Sequence, residues 1–406
     1  MKKRSSLLLP LTILLVVMNS CASCKVAVNP QDTGDSPEEE ETIEVEDERF
    51  PILAWRGVRT AQAKESFEAM KACGIEIYLE SYGTLEEVQA VLDIAQEAGI
   101  KLFVRHTIED MVAEVPKIKD HPALYGYYVQ DEPEISQFAM LKDVVKQVQG
   151  IDRDHPCYIN LYPNYYGAWR EQGYAGILKQ FLDLVSVPFL SFDFYPIVEE
   201  NGVRSLRPLW YSNLEDVRAA AKEAGIPFWA FALTTCHTNY TTFYPVPKVG
   251  ELRLQHFSNL VYGAQAFQYF NFLGIFNYSP TEVYARVKMV NEELQSLAFI
   301  FKDADVKDVW HTGATIPDGT RKLDVMPKGI ASLQSGDAGL IVSLVEKKGK
   351  TYVAIVNKDF QNPQGVEMSF TGAYKYFTRK GEEMPNTDPT AKLTLDPGDI
   401  AVFEIL

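Results

Sequence analysis

Two adjacent carboxylates, Asp131 and Glu132, follow a short aromatic run in this 406-residue chain. The run Tyr125–Val129 is too aromatic and too short to be a free helix, so it predicts a buried β-strand. Pro133 lacks a backbone N–H and favours an extended residue before it, so the strand should end at the acids. Paired carboxyls suit general acid–base chemistry. Alternatively, the acids only precede a helix that Ser136 caps.

The elements that position these acids alternate between apolar strands and amphipathic helices. Eight strands with helices between them, over roughly 250 residues, predict an α/β fold of the (β/α)8 TIM barrel type. No GxGxxG loop supports an open doubly wound sheet. The second helix should begin at Thr84 and end at Gly99. The candidate strands are Ile52–Trp55, Glu76–Leu79, Lys101–Val104, Leu124–Val129, Tyr158–Leu161, Leu184–Phe194, Phe228–Leu233 and Phe267–Phe272.

The pattern changes after Thr281–Phe301, which we expect to be the last helix of the barrel. Two apolar runs flank Lys347–Lys350, which indicates a β-hairpin, and further short strands follow without helices between them. Short strands without helices predict a small all-β sandwich. The expected organisation is a signal peptide (1–20), an acidic disordered tether (21–48), the barrel (49–302) and the sandwich (303–406).

The N-terminus indicates export. Basic residues precede the apolar run Leu7–Met18, which is too short to span a bilayer and is typical of a signal peptide. Met18–Cys21 resembles a bacterial lipobox, which implies lipidation of Cys21; Cys24 is a second candidate, and ordinary secretion is the alternative. We therefore expect a lipid-anchored protein of the bacterial cell envelope, at the outer membrane or cell surface.

Charge and cysteine content limit the partners. The formal charge is −16, and no basic patch suggests nucleic acid. Ten acidic residues and no basic ones lie within 32–48, which favours an extended tether. Contact with a membrane is expected only through the lipid anchor. Cys73 and Cys157 are predicted core residues, and no cysteine spacing indicates a disulfide framework or a zinc site.

In a TIM barrel, the C-terminal ends of the strands converge on one pocket. Here those ends carry carboxylates, amides and aromatic rings, a combination typical of carbohydrate sites. The residues that we expect to bind substrate are Trp55, Arg105, Asp131, Asn160, Tyr162, Tyr195, His237 and Asn271.

Asp131-Glu132-Pro133 resembles the Asn-Glu-Pro motif on the fourth strand of clan A glycoside hydrolases. The run 191–196 resembles the sixth strand of family 42-like β-galactosidases, and 251–272 resembles their seventh helix and eighth strand. The resemblance covers Phe50 to about Phe301 and implies that Glu132 is the general acid/base. One departure concerns the seventh strand, which ends Ala232–His237 without the glutamate that is the nucleophile in that clan.

Glycoside hydrolysis usually needs two carboxylates, and burial would raise the pKa of Glu132 as an acid requires. We expect Asp193 as its partner, then Glu80; Asp131 would instead hold a sugar hydroxyl, and Glu251 suits the first turn of a helix. The leading hypothesis is a glycoside hydrolase that needs no cofactor. The main alternative is a glycan-binding lipoprotein without activity.

A weaker alternative is a barrel enzyme that uses metal-bound water. Two histidines at predicted strand ends are its only support. Its ligands would be Glu80, His106, Asp131 and His237.

Overall fold

The structure is a computed structural model that describes residues 48–385 and 388–406. The predicted signal peptide, Cys21 and almost all of the acidic tether lie outside the described residues. The strands of the first part are, in chain order, β1 (Ile52–Trp55), β2 (Ile77–Ser81), β3 (Lys101–Arg105), β4 (Leu124–Asp131), β5 (Cys157–Leu161), β6 (Leu190–Phe192), β7 (Ile197–Glu200), β8 (Val203–Leu206), β9 (Phe228–Leu233), β10 (His237–Asn239), β11 (Thr242–Tyr244) and β12 (Ala266–Phe270).

Within the described residues, eight parallel strands close into a barrel in the order β1-β12-β9-β6-β5-β4-β3-β2. The predicted (β/α)8 barrel is therefore confirmed. Successive side chains of each strand point to opposite faces of the sheet, and rings such as Phe103, Tyr158 and Trp229 fill the barrel interior. The opposite faces of the same strands pack against the surrounding helices.

Helices connect most of the barrel strands. In the second of them, the Thr84 side chain accepts a hydrogen bond from the backbone N–H of Glu87 at 3.1 Å, and Gly99 ends the helix with φ +69°. No helix in the described part of the chain is long and apolar enough to cross a membrane. The helices are α1 (Ala63–Ala72), α2 (Leu85–Ala98), α3 (Met111–Ile118), α4 (Phe138–Ile151), α5 (Gly167–Gln172), α6 (Tyr174–Leu184), α7 (Trp210–Ala224), α8 (Val249–Tyr262), α9 (Phe272–Ile275), α10 (Tyr284–Ser296) and α11 (Ala298–Phe301).

Two predicted elements differ from the structure by more than two residues in their bounds. The sixth barrel strand was expected to span Leu184–Phe194, but Leu184 ends α6 and the strand is only Leu190–Phe192. A mostly apolar run, which here contains Ser186 and Pro188, cannot by itself distinguish the end of a buried helix from a buried strand. The expected last helix, Thr281–Phe301, is divided into α10 and α11 by Leu297.

Two hairpins that the sequence analysis missed stand at the C-terminal end of the barrel. Strands β7 and β8 form one hairpin and β10 and β11 form the other, and they join in a four-stranded sheet of order β10-β11-β7-β8. Asn201 (φ +53°) and Gly202 (φ +77°) make the first turn, and an Asn-Gly pair is a strong hairpin signal. Arg204 on β8 holds this sheet to the barrel through Glu251 on α8, at 2.6 Å.

The last part of the chain is all-β, as predicted. A six-stranded sheet of order β13-β15-β16-β21-β18-β19 and a three-stranded sheet of order β14-β17-β20 share an apolar core. Lys347 pairs with Lys350 across the predicted hairpin. The strands are β13 (Asp305–His311), β14 (Ile330–Ser335), β15 (Leu340–Lys347), β16 (Lys350–Asn357), β17 (Gln364–Phe370), β18 (Tyr374–Thr378), β19 (Glu383–Met384), β20 (Thr390–Leu395) and β21 (Ile400–Ile405).

A buried ion-pair network joins the sandwich to the barrel. Glu293 on α10 is 3% exposed and accepts two hydrogen bonds from Arg253 on α8, at 2.9 and 2.6 Å. Arg379, after β18, donates a third to Glu293 at 3.2 Å and also pairs with Asp399. Removing the carboxylate of such a buried ion pair strongly destabilises the fold, because the remaining guanidinium charges stay buried without a partner.

Candidate active site

Three carboxyl groups lie together at the C-terminal end of the barrel. Asp131 ends β4, Glu132 follows it, and Asp193 comes directly after β6. The amide nitrogen of Asn160, on the intervening strand β5, donates to Asp193 at 2.9 Å and to Asp131 at 3.2 Å. One amide therefore holds the two aspartates as close neighbours.

A buried polar network beneath the carboxyls fixes this amide. The Ser191 hydroxyl donates to the side-chain Oδ1 of Asn160 at 3.0 Å, and the Gln268 side-chain amide donates to the Ser191 hydroxyl at 3.0 Å. The Tyr158 hydroxyl donates to Gln268 at 2.6 Å. Asn160 is fully buried and is absent from the cleft lining. The structure therefore places Asn160, an expected substrate-binding residue, beneath the cleft, where its amide orients the two aspartates.

The backbone at Glu132 has an unusual conformation. Its φ angle is +44°, in the left-handed region and not in the extended conformation expected before Pro133. Its backbone N–H donates to the backbone carbonyl of Asn160 at 2.8 Å, and this bond to the neighbouring strand holds the turn. Left-handed non-glycine residues cost on the order of 1–3 kcal/mol and cluster at functional sites.

Arg105, which was expected to bind substrate, instead supports the end of β4. The pairing of β4 with β5 shifts register between Tyr128 and Gln130, at the position of Val129. The Arg105 guanidinium donates to the Val129 carbonyl at 2.7 Å and lies 4.4 Å from the centre of the Tyr128 ring. Arg105 is not among the residues that line the cleft.

Burial controls the electrostatics of the three carboxyls. It raises the pKa of Asp131 to about 6. Burial, together with the charges of Asp193 and Asp131, also raises the pKa of Glu132 well above its usual range. The pKa of Asp193 is raised by burial and by the charge of Asp131, but hydrogen bonds from Asn160 and Tyr195 oppose this rise. The hydrogen bonds favour a proton on Glu132 and a negative charge on Asp193.

The carboxyls open into a cleft of about 920 Å³ with aromatic walls. Tyr162 and Tyr166 stack at 3.8 Å between ring centres, and the Tyr166 hydroxyl is fixed by Glu134 at 2.6 Å. Tyr195 stacks with Phe270 at 5.5 Å. The expected site residues that line this cleft are Trp55, Asp131, Glu132, Tyr162, Asp193, Tyr195, His237 and Asn271.

Glu80, the second expected partner of Glu132, is outside the cleft lining. Its carboxylate accepts hydrogen bonds from the backbone N–H groups of Gly57, at 3.2 Å, and Ser81, at 3.0 Å. It therefore serves to fix the loop after β1. Glu251 is also engaged elsewhere, since it pairs with Arg204 and accepts from the Lys248 N–H at 2.8 Å, as expected of a first-turn acid.

The expected metal ligands do not meet. In the described part of the chain, the ligand atoms of His106 cluster with those of Asp110 and Glu114, and not with those of Glu80 or Asp131. His237 stacks on Tyr244 at 4.6 Å. The hypothesis of a metal held by Glu80, His106, Asp131 and His237 was therefore wrong.

Arg207 is a cleft residue that the sequence analysis missed. Its guanidinium lies 3.6 Å from the centre of the Tyr165 ring and donates to the Tyr244 hydroxyl at 2.5 Å. It follows the β7–β8 hairpin, so recognising the Asn201-Gly202 turn was the signal that would have placed it at the barrel mouth.

No protein-family model matches the chain, and no curated protein matches it. Among solved structures, it is similar to a candidate α-galactosidase from Bacteroides fragilis NCTC 9343, with 9% identity and a TM-score of 0.54 over 88% of this chain and 79% of that one. A candidate α-galactosidase/melibiase from the same organism is similar at 10% identity and a TM-score of 0.53, with the same coverage of both chains. At such low identity the likeness is one of fold.

Proposed function

We propose that this protein hydrolyses glycosidic bonds of oligosaccharides or polysaccharides, with Glu132 as the general acid. The observation that carries the proposal is the group of three carboxyls at the strand ends, held by one buried amide and opening into an aromatic cleft. The names of the two similar structures, both galactosidases, agree with this function. They do not identify the sugar.

The geometry suits different catalytic roles for the carboxyls of Glu132 and Asp193. Glu132 keeps its proton near neutral pH because burial and its acidic neighbours raise its pKa, so it can protonate the leaving glycosidic oxygen. Asp193 would carry the negative charge and either activate water or attack the anomeric carbon. Asp131 is left to accept a hydrogen bond from a sugar hydroxyl. The paired rings of Tyr162 and Tyr166 offer faces on which the apolar side of a pyranose can stack.

A second candidate function is glycan binding without cleavage. It is favoured by the end of β9, where Thr234-Thr235-Cys236-His237 provides no carboxylate at the position of the nucleophile in clan A enzymes. The two functions differ in one observable, because only the enzyme releases new reducing ends.

The test compares the wild type with Glu132→Gln and Asp193→Asn on 4-nitrophenyl glycosides and on 1,4-linked tetrasaccharides of galactose, glucose, xylose and mannose. The proposal predicts turnover by the wild type and a loss of roughly 100-fold or more in each variant on the tetrasaccharides, whose sugar leaving group needs a proton. Asp110→Asn is a matched control, since this exposed acid follows a barrel strand but does not line the cleft. Full activity in Glu132→Gln would refute the proposed role.

We also propose that the protein is exported and anchored to the cell envelope by a lipid on Cys21. The apolar run that ends at Met18 and the small residues before the cysteine support this. Cys21→Ser should move the protein from the membrane fraction to the soluble fraction, whereas Cys24→Ser should leave it in the membrane fraction. Unchanged fractionation of Cys21→Ser would contradict the proposal.

A further inference from the structure

Tyr240 is an exposed aromatic residue at the rim of the cleft. It lies in the turn between β10 and β11, lines the cleft, and its relative exposure is 96%. Its φ angle is +52°, a conformation in which glycine or asparagine would be less strained. A tyrosine here exposes a large ring to water and gains almost no packing against the described residues.

The β10–β11 hairpin that carries Tyr240 is anchored by strand pairing and ring stacking. His237 and Tyr244 pair across the β10–β11 hairpin, and their rings stack on each other. Phe243 pairs with Glu199 on β7, which joins this hairpin to the sheet that Arg204 and Glu251 hold to the barrel. The ring of Tyr240 is thus presented at a defined place above the cleft.

Aromatic residues follow the barrel strands on both sides of the strand that carries Asp193. Strand β6, which Asp193 follows, lies between β5 and β9 in the barrel. The stacked rings of Tyr162 and Tyr166 follow β5, and Tyr240 follows β9. Tyr162 and Tyr166 line the same cleft as Glu132. Aromatic surfaces therefore lie on both sides of Asp193.

We propose that Tyr240 is a stacking platform for a sugar ring that lies outside the carboxyl cluster. The substrate is then a chain of several sugars and not a single sugar with a small leaving group. A flat ring face offers stacking to the C–H face of a pyranose, and Tyr240 can give this contact only to a unit that extends past Asp193. This inference rests on the proposed function and adds the length of the substrate to it.

The test compares Tyr240→Ala with Tyr240→Phe, which keeps the ring. Activity is measured as kcat/KM on a 4-nitrophenyl monosaccharide glycoside and on the matching 1,4-linked tetrasaccharide. Tyr240→Ala should lose roughly 10-fold more kcat/KM on the tetrasaccharide than on the monosaccharide glycoside, mainly through KM, and Tyr240→Phe should restore most of the loss. Equal losses on both substrates, or no loss, would overturn the inference.

Tyr278→Ala is the matched control. Tyr278 also has a positive φ, +59°, and is 64% exposed, but it lies outside the cleft lining. This variant should behave as the wild type on both substrates. If Tyr278→Ala lost as much kcat/KM on the tetrasaccharide as Tyr240→Ala, the effect would not depend on a position in the cleft. That result would overturn the inference.

Calorimetry with β-1,4-galactotetraose and the corresponding glucose, xylose and mannose tetraoses, in a Glu132→Gln background, separates this inference from the proposed function. If the wild type cleaves none of these sugars and Tyr240→Ala still weakens binding roughly 10-fold, the stacking role of Tyr240 is supported and the hydrolase proposal is refuted. If the wild type cleaves one of them and Tyr240→Ala binds it unchanged, the platform fails and the hydrolase proposal stands.

Discussion

Replacing Glu132 by glutamine should stabilise the folded protein at neutral and alkaline pH while it removes activity. The side chain keeps its shape, and the left-handed backbone of residue 132 is unchanged. What disappears is a carboxyl whose pKa is raised by burial and by the charges of Asp193 and Asp131. Because the folded state binds this proton more tightly than the unfolded state does, the carboxyl destabilises the fold as pH rises above its unfolded pKa of about 4.3.

The size of the effect follows from proton affinity. Each tenfold increase in proton affinity on folding corresponds to about 1.4 kcal/mol. The pKa of Glu132 rises from 4.5 to about 9, and a quarter to a half of this rise, after discounting for the solvent that reaches the cleft, costs on the order of 1–3 kcal/mol. For a chain of this size each kcal/mol corresponds to roughly 1–2 °C in Tm. The variant should melt a few degrees above the wild type at pH 8, and the difference should become small near pH 4, where glutamate is mostly protonated even in the unfolded chain.

Thermal unfolding of both proteins between pH 4 and pH 9 measures this difference. Glu97→Gln is a suitable control because Glu97 is an exposed acid on α2 away from the cleft, and its difference from the wild type should show no such rise with pH. A Glu132→Gln variant that is less stable than the wild type at pH 8, or a difference independent of pH, would refute the electrostatic account of the site.

Three further predictions concern the supports of the site and the thiols. Asn160→Ala should reduce kcat by roughly 10-fold or more and destabilise the fold by about 1–3 kcal/mol, because the buried partners of Asn160 lose their hydrogen-bond donor. Unchanged kinetics would contradict the positioning role of Asn160. Glu293→Gln should destabilise by about 3–5 kcal/mol in chemical denaturation with kcat/KM unchanged in the folded enzyme, and stability equal to the wild type would contradict the interface network. In native protein, Cys236 should react with a thiol reagent, whereas Cys73 and Cys157, whose pKa burial raises to about 12, should react only after unfolding.

The barrel was predictable because its signals are local. β1 and β9 have the expected bounds, since short apolar runs between polar residues and glycines leave few alternatives. Thr84 and Gly99 marked the ends of α2 for the same reason, because a cap and a left-handed glycine act within one turn. The sixth strand was misplaced because the segment between α6 and β6 is mostly apolar, although Ser186 and Pro188 interrupt it.

The site was only partly predictable because its details depend on contacts between strands. The sequence placed Arg105 and Asn160 at strand ends, but not the depth at which each side chain lies. The register shift in β4 turns a carbonyl toward Arg105, and the buried bonds of Asn160 keep it below the cleft. Likewise, the backbone amides that hold Glu80 come from Gly57 and Ser81, and no periodicity in the sequence encodes that contact.

The central claim is that Glu132 donates a proton in the cleavage of a glycosidic bond. The most direct measurement is the release of reducing ends from the tetrasaccharides by the wild type and by Glu132→Gln at the same protein concentration, with folding of both verified by thermal unfolding. The claim predicts release by the wild type and a rate at least roughly 100-fold lower in the variant. Equal rates in the two proteins, or tight binding by the wild type without any release, would contradict it.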